Sequence, residues 1–319
     1  MLPDRRRIGA HLPQAHGLVK AADRAAEIGA AALQIFGDNP TAWKRRNEPS
    51  AEQAAFRERI AAHGIDPVSI HAAYLVNLAG PDPAFFAKSV DVLATELRAA
   101  PGFGARLVNV HTGSHRQAGS RAGIERLADG VAAVLAEVPP GPNAATLLLE
   151  NSAGGGFAVG ATVEDLAAIA DAVGRRGIAD ERVGFCLDTA HLWSAGYRIS
   201  EPDEVDAVLE SFDRLIGLER LRLIHLNDSK SESGSRLDRH QHVGAGTIGE
   251  IGMGHILRHP RLGDVPYVVE TPGMDEGYDA VNVARARALA RGESVEPLPP
   301  EALHLRGGRA GMPSEPEPV

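Results

Sequence analysis

Six successive apolar runs in this chain end in a residue that can bind a cation. His71 follows VSI, His111 follows LVNV, Glu150 follows TLLL and Asp188 follows VGFCL; His225 lies near the end of LRLIHL, and Glu270 follows PYVV. The steps between them are 40, 39, 38, 37 and 45 residues, each about one strand plus one helix. Imidazole nitrogen with carboxylate oxygen is the ligand chemistry of zinc or manganese. Three carboxylates gathered in a poorly solvated place resist ionisation unless cations accompany them. Three further candidates lie in loops. His191 comes three residues after Asp188, within one helical turn of it. Asp238 and His240 are separated by one residue, which puts both on one side of an extended segment.

Taken singly, each residue has an ordinary explanation. A histidine at a strand end is commonly a hydrogen-bonded structural residue, an aspartate after a strand is commonly a helix N-cap, and Asp238-Arg239-His240 reads as a polar loop. Six in a row is another matter, because His, Asp and Glu together make up under a fifth of the 319 residues. His11 also ends an apolar run and is a candidate for the same mouth. His115 and His242 are candidates for outer contacts. His16, His63, His255, His259 and His304 read as surface or helix-end residues.

The elements that must position these groups are legible as well. Strand-like runs occupy 7–11, 31–36, 68–71, 107–111, 146–150, 183–188, 221–226 and 266–270. They are rich in Val, Ile and Leu and scarcely alternate with polar residues, as strands covered on both faces do. Helix punctuation separates them. Ser50 with Gln53 reads as a capping box before Phe56 and Ile60, with Gly64 as the stop. Thr162 with Asp165 reads as a second start, with Leu166, Ile169 and Val173 on one stripe. Eight strand–helix units predict a (β/α)8 TIM barrel of parallel strands with outer helices over residues 1–291. An open doubly wound sheet would want a glycine-rich phosphate loop after the first strand, where AHLPQAHG stands instead. Residues 292–319 are Pro- and Gly-rich without periodicity and read as a disordered tail.

Composition narrows the class. The chain is 44% hydrophobic, ample for a barrel-sized core, and its one cysteine, Cys186, excludes an internal disulfide and fits a reducing cytoplasm. MLPDRRRIGAH carries no apolar segment of signal-peptide type, and no run reaches membrane-spanning length. A net charge of −9 argues against coating nucleic acid by bulk charge. Three divalent cations would reduce it to −3 and concentrate the positive charge at the site.

At this point the chain resembles a known family, the zinc-dependent endonuclease IV proteins, or family 2 apurinic/apyrimidinic endonucleases. The resemblance is carried, in order, by HAAYLVNLAG (71–80), LVNVHTGSH (107–115), LLLENSAGGG (147–156), CLDTAHLWSAGY (186–197), HLNDSK (225–230), GSRLDRHQHVGAGTIG (234–249) and VVETP (268–272). It implies three zinc ions, with manganese able to replace one. The first would be held by His71 and His111, with Glu150 bridging to a second that adds Asp188, His225 and Glu270. His191, Asp238 and His240 would hold the third. It also implies hydrolysis of the phosphodiester 5′ to an abasic site in duplex DNA, leaving a 3′-hydroxyl, by a cytoplasmic monomer. Glu270 and Glu150 would be catalytic, and Tyr74 and Leu75 would wedge into the duplex. The chain departs from the family pattern at Thr41, where an arginine that enters DNA is usual. It departs also at Thr112 for proline, Ala245 for glutamate and Arg198 for an acid. A sugar isomerase or epimerase on the related barrel is the rival. It would use positions like Glu150, Asp188, His225 and Glu270 but has no need of the other five ligands. A non-catalytic DNA-binding barrel is the other alternative.

Overall fold

A computed structural model of the protein describes residues 6–46 and 48–305. Its strands are β1 (Ile8–His11), β2 (Leu33–Phe36), β3 (Val68–His71), β4 (Ala105–His111), β5 (Thr146–Glu150), β6 (Val183–Asp188), β7 (Leu221–His225), β8 (Asp228–Ser229), β9 (His240–Gln241) and β10 (Tyr267–Val269). Its α-helices are α1 (Leu18–Glu27), α2 (Gln53–Ala62), α3 (Pro83–Ala99), α4 (Ser120–Glu137), α5 (Val163–Gly174), α6 (Thr189–Ala195), α7 (Pro202–Leu215), α8 (Gly249–Arg258), α9 (Tyr278–Ala290) and α10 (Pro300–Leu303). Eight parallel strands close in the order β1-β10-β7-β6-β5-β4-β3-β2, with the helices outside. The β8–β9 hairpin stands apart as a two-stranded arm after β7.

Two apolar layers explain why the strands show so little alternation. One side chain set, including Ile35, Ile70, Val108, Leu149, Phe185 and Ile224, packs outward against the helices. The other, Leu107, Leu148, Cys186, Leu223 and Val268, forms a separate small cluster. These residues sit two positions before Asn109, Glu150, Asp188, His225 and Glu270, so by strand period they share the inner face with them. The barrel is thus plugged with apolar side chains below and lined with polar ones at its C-terminal mouth. Where β1 passes β2, a Cβ on Gly9 would stand 1.7 Å from the Ala32 carbonyl oxygen, so only glycine permits that approach.

The helix signals hold unevenly. Thr162 caps α5 as expected, its hydroxyl accepting the Asp165 N–H at 3.1 Å. The Ser50 side chain does not cap α2: the helix starts at Gln53, and the Ser50 hydroxyl accepts the Glu52 N–H at 3.3 Å, in a turn. The Gln53 side chain is instead buried against Gly102.

The tail expectation needs correcting for residues 292–305. Val295 packs on the core and Ala302 is fully buried. Arg285 donates to the Glu296 carbonyl at 2.5 Å, the His242 Nε2–H to that of Ala302 at 3.0 Å and Gln241 Nε2 to that of Leu303 at 3.2 Å. Lys230 donates to Leu305 O. Composition hid this because the segment is held largely through its own backbone carbonyls, which leave no side-chain pattern. The rest of the expected tail, 306–319, lies outside the described residues.

Candidate metal centre

All nine residues singled out as ligands meet at the C-terminal mouth of the barrel. Strand register does the first part. Adjacent strands pair His111 with Glu150 and Asp188 with His225, so each pair leaves the sheet on the same inner side. Asp188 then serves two ends. Its Oδ1 accepts the His191 N–H at 2.9 Å and starts α6, whose first turn brings the His191 ring back over the mouth. Its Oδ2 faces inward. The β8–β9 arm delivers Asp238 and His240 from the opposite side.

The donor atoms form three overlapping groups. His71 Nε2 and His111 Nε2 each lie 3.6 Å from Glu150 Oε2. His225 Nδ1 lies 3.3 Å from both Glu150 Oε1 and Glu270 Oε2, and 4.0 Å from Asp188 Oδ2. Asp238 Oδ1 lies 3.4 Å from His191 Nε2 and 3.0 Å from His240 Nε2, which is 3.6 Å from Asp188 Oδ2. Most of these spacings are too long for hydrogen bonds. They match the roughly 3.3 Å edge of a tetrahedron whose metal–ligand bonds are about 2.0–2.1 Å. The fit to divalent transition ions is supported further by three buried ligand atoms, Glu150 Oε1, His225 Nδ1 and His240 Nε2, that make no hydrogen bond.

The imidazoles are oriented for this from behind. His71, His191 and His240 donate Nδ1–H to the carbonyls of Ala72, Asn151 and Glu270 at 2.8, 2.9 and 2.9 Å. Each therefore presents a free Nε2 inward. His225 is reversed: Nε2–H donates to Gln34 Oε1 at 3.0 Å and Nδ1 faces the mouth. Fixing the tautomer through the outer nitrogen is how metal-binding histidines are held.

Electrostatics say the same. Burial favours neutral forms, but opposite charges outweigh it at most of these groups. His225 and His111 hold Glu150 well below the carboxylate range, and His191 and His240 do so for Asp238. Asp188 and Asp238 lift His191 well above its ordinary value and raise His240 to about 9. His111 goes the other way, lowered by burial. Without ions, the carboxylates are thus satisfied by protons on the histidines, which metal ions would displace. Burial pushes the Cys186 thiol up to about 12 in the metal-free protein.

Sequence reasoning missed the amides behind the ligands. Gln34, fully buried on β2, donates to Glu270 Oε1 at 2.6 Å while accepting from His225 and, at 3.2 Å, from Ser69 Oγ. Asn109 donates to Glu150 Oε2. Asn227 donates to Asp188 Oδ2 at 2.7 Å and accepts the Glu270 N–H at 2.8 Å. Their signal was present: an amide inside an apolar strand run, as in LQIF and LVNVH, must find a partner within the barrel. His11 does line the mouth, its Nδ1 hydrogen-bonded to Glu270 Oε1 at 2.9 Å.

Comparison with known proteins agrees with this arrangement. Residues 22–292 match the family described as xylose isomerase-like TIM barrel. "Probable endonuclease 4" of Methanoculleus marisnigri is 42% identical over 283 residues, covering 89% of this chain and 98% of that protein. The chain belongs to the endonuclease IV family. The crystal structure of endonuclease IV from Thermus thermophilus superposes with a TM-score of 0.77 at 39% identity, over 90% of this chain and 99% of that one. A D-tagatose 3-epimerase-like protein shares the fold alone, at 16% identity and a TM-score of 0.65, over 90% and 98% of the two chains.

Against the endonuclease IV pattern, the departures are structurally quiet. Thr41 is exposed and donates to Asn39 Oδ1 at 2.9 Å. Thr112 is buried, and its hydroxyl donates to the Val159 carbonyl at 2.6 Å. Ala245 donates its N–H to the His242 carbonyl at 2.9 Å, and Arg198 pairs with Glu201. Tyr74 and Leu75 are half-buried on the β3–α3 loop. The Tyr74 ring stands 5.6 Å from that of His71 and edge-on to Phe36 at 5.3 Å. Its N–H donates to the Pro40 carbonyl at 3.1 Å, tying this loop to the one carrying Thr41.

Proposed function

We propose that the protein hydrolyses the phosphodiester 5′ to an abasic site in duplex DNA and leaves a 3′-hydroxyl, acting as a cytoplasmic monomer. The observation that carries this reading is the convergence of nine nitrogen and oxygen donors at coordination spacing on one rim. They suit three zinc ions, with manganese able to replace one. His71, His111 and Glu150 would hold the first, Glu150, Asp188, His225 and Glu270 the second, and His191, Asp238 and His240 the third. When bound, the ions supply Lewis acidity that makes water nucleophilic near pH 7 and offsets the phosphate charge. The protein supplies the rest. His225, His11 and His71 overcome the effect of burial and keep the Glu270 carboxylate ionised, so it can accept a proton from the attacking water and aim it. Glu150, kept ionised by His225 and His111, would help hold the first and second ions. Tyr74 and Leu75, half-buried on the β3–α3 loop, would fill the stack as the damaged nucleotide turns out, a step eased by its missing base. His191, Asp238 and His240 speak against a sugar isomerase, which has no use for a third ion.

The test is direct. Metals per chain are counted, and the protein is incubated with a duplex carrying one abasic analogue, with and without chelator. Cleavage to a 3′-hydroxyl end that stops with chelator is expected. Intact DNA together with turnover of a sugar would refute the reading.

A further inference from the structure

Among the described residues, one group of side chains away from the mouth has metal-ligand chemistry. Asp206 lies on α7, and His255 and His259 lie on and just after α8, four residues apart and so on one face. Asp206 Oδ1 is 2.6 Å from His255 Nε2 and 3.5 Å from His259 Nε2. The three ligand atoms all lie within 4.8 Å of one another. An ion at the centre of that triangle would stand about 2.5 Å or less from each, a few tenths beyond coordination length. None of the three takes part in the barrel-mouth cluster, and all lie outside the barrel wall on its helices.

Three observations suit an ion at this group. Both histidines aim the same nitrogen at a single carboxylate oxygen, the arrangement in which that oxygen and two nitrogens face one point. Burial, opposed by Asp206, holds the His259 imidazole below its ordinary value, so the ring is neutral and able to ligate at pH 7. The Asp206 side chain is 47% exposed, which leaves room for water as the remaining ligand. Arg261, close enough to add to the lowering of His259, turns its guanidinium to Asp213. Two contacts would be given up. His255 Nε2–H donates to Asp206 Oδ1 at 2.6 Å, and that hydrogen bond must open for the nitrogen to ligate. His259 Nδ1 accepts the Arg261 N–H at 3.3 Å, and ligation through Nε2 moves the ring proton onto Nδ1.

We propose that Asp206, His255 and His259 form a separate site for one divalent transition-metal ion of the zinc class, clamping α7 to α8 on the outer wall. The proposal does not depend on the nuclease reading. Zinc-loaded full-length protein is freed of excess metal and titrated with zinc chloride by calorimetry. It is compared with His255→Ala and Asp206→Asn. The wild type is expected to take up one more zinc per chain than either variant, or to bind it at least tenfold more tightly. Added zinc is also expected to raise the melting temperature of the wild type alone. DNA cleavage should be equal in all three. Asp206→Asn keeps a hydrogen-bonding side chain, so it decides the matter if His255→Ala fails to fold by circular dichroism. No extra uptake by the wild type, or uptake that persists unchanged in Asp206→Asn, overturns the site.

Discussion

Gln34→Leu isolates what the amide behind the metal centre does. Leucine nearly matches glutamine in volume, so packing around β2 should change little. The polar losses are specific. Glu270 loses its 2.6 Å donor, and His225 loses the 3.0 Å acceptor that fixes Nε2–H and leaves Nδ1 free. Only one orientation of the Gln34 amide serves both, since its oxygen also accepts from Ser69. Removing such a supporting partner typically weakens metal affinity by about 10–100-fold, or about 1.4–2.8 kcal/mol. The loss should fall on the ion proposed to be held by His225 and Glu270. Competition against a chromophoric chelator reads it directly. Single-turnover cleavage should slow by a similar factor while DNA affinity stays the same, because Gln34 is buried and out of reach of the duplex. A zinc affinity within twofold of wild type would refute the reasoning.

Other outcomes follow from the same geometry. Glu270→Gln should lower the cleavage rate by about 10²–10⁴-fold and leave the melting temperature within a few degrees; full activity would remove Glu270 from its assigned role. In metal-free protein, burial lowers His240 but Asp238 and Asp188 outweigh it and raise the ring to about 9. Its stabilising contribution is therefore complete below pH 6.5 and lost as pH rises through about 9, by about 3 kcal/mol at most. Zinc-loaded protein, whose imidazoles must be neutral to ligate, should show no such loss, and melting curves at both pH values with and without chelator compare the two; a metal-free profile that is flat across that window contradicts it. Thr41→Arg restores a cation on the exposed rim loop and should tighten DNA binding while steepening its salt dependence by about one counterion; an unchanged salt slope in a binding titration would place residue 41 off the duplex.

The barrel and the meeting of these side chains at its mouth were readable in the sequence for one reason. Closing the barrel brings strand ends together, so residues some 40 positions apart need only end their own strands to meet. His71, Glu150 and Asp188 required nothing more. Asp188 was also readable as a helix cap, and the fold uses it as both cap and inward carboxylate. What stayed hidden depends on contacts across the barrel. Gln34 and Asn227 serve ligands on other strands, and nothing in their local sequence names those partners. The docking of residues 292–305 is invisible for a different reason, since backbone carbonyls accept the bonds and any residue carries one. Ser50 and Gln53 show the opposite failure, a good local motif overridden when burial of Gln53 moved the helix start.

The C-terminal segment bears on how this protein should be handled. The family match stops at Gly292, yet Gln241 and His242, next to His240, rely on carbonyls of Ala302 and Leu303. A protein trimmed to the family boundary would leave those side chains without acceptors beside a proposed zinc ligand. An affinity tag fused close after Leu305 would crowd the Lys230 contact. Expression designs for this chain should therefore keep the full segment and place tags at the other end.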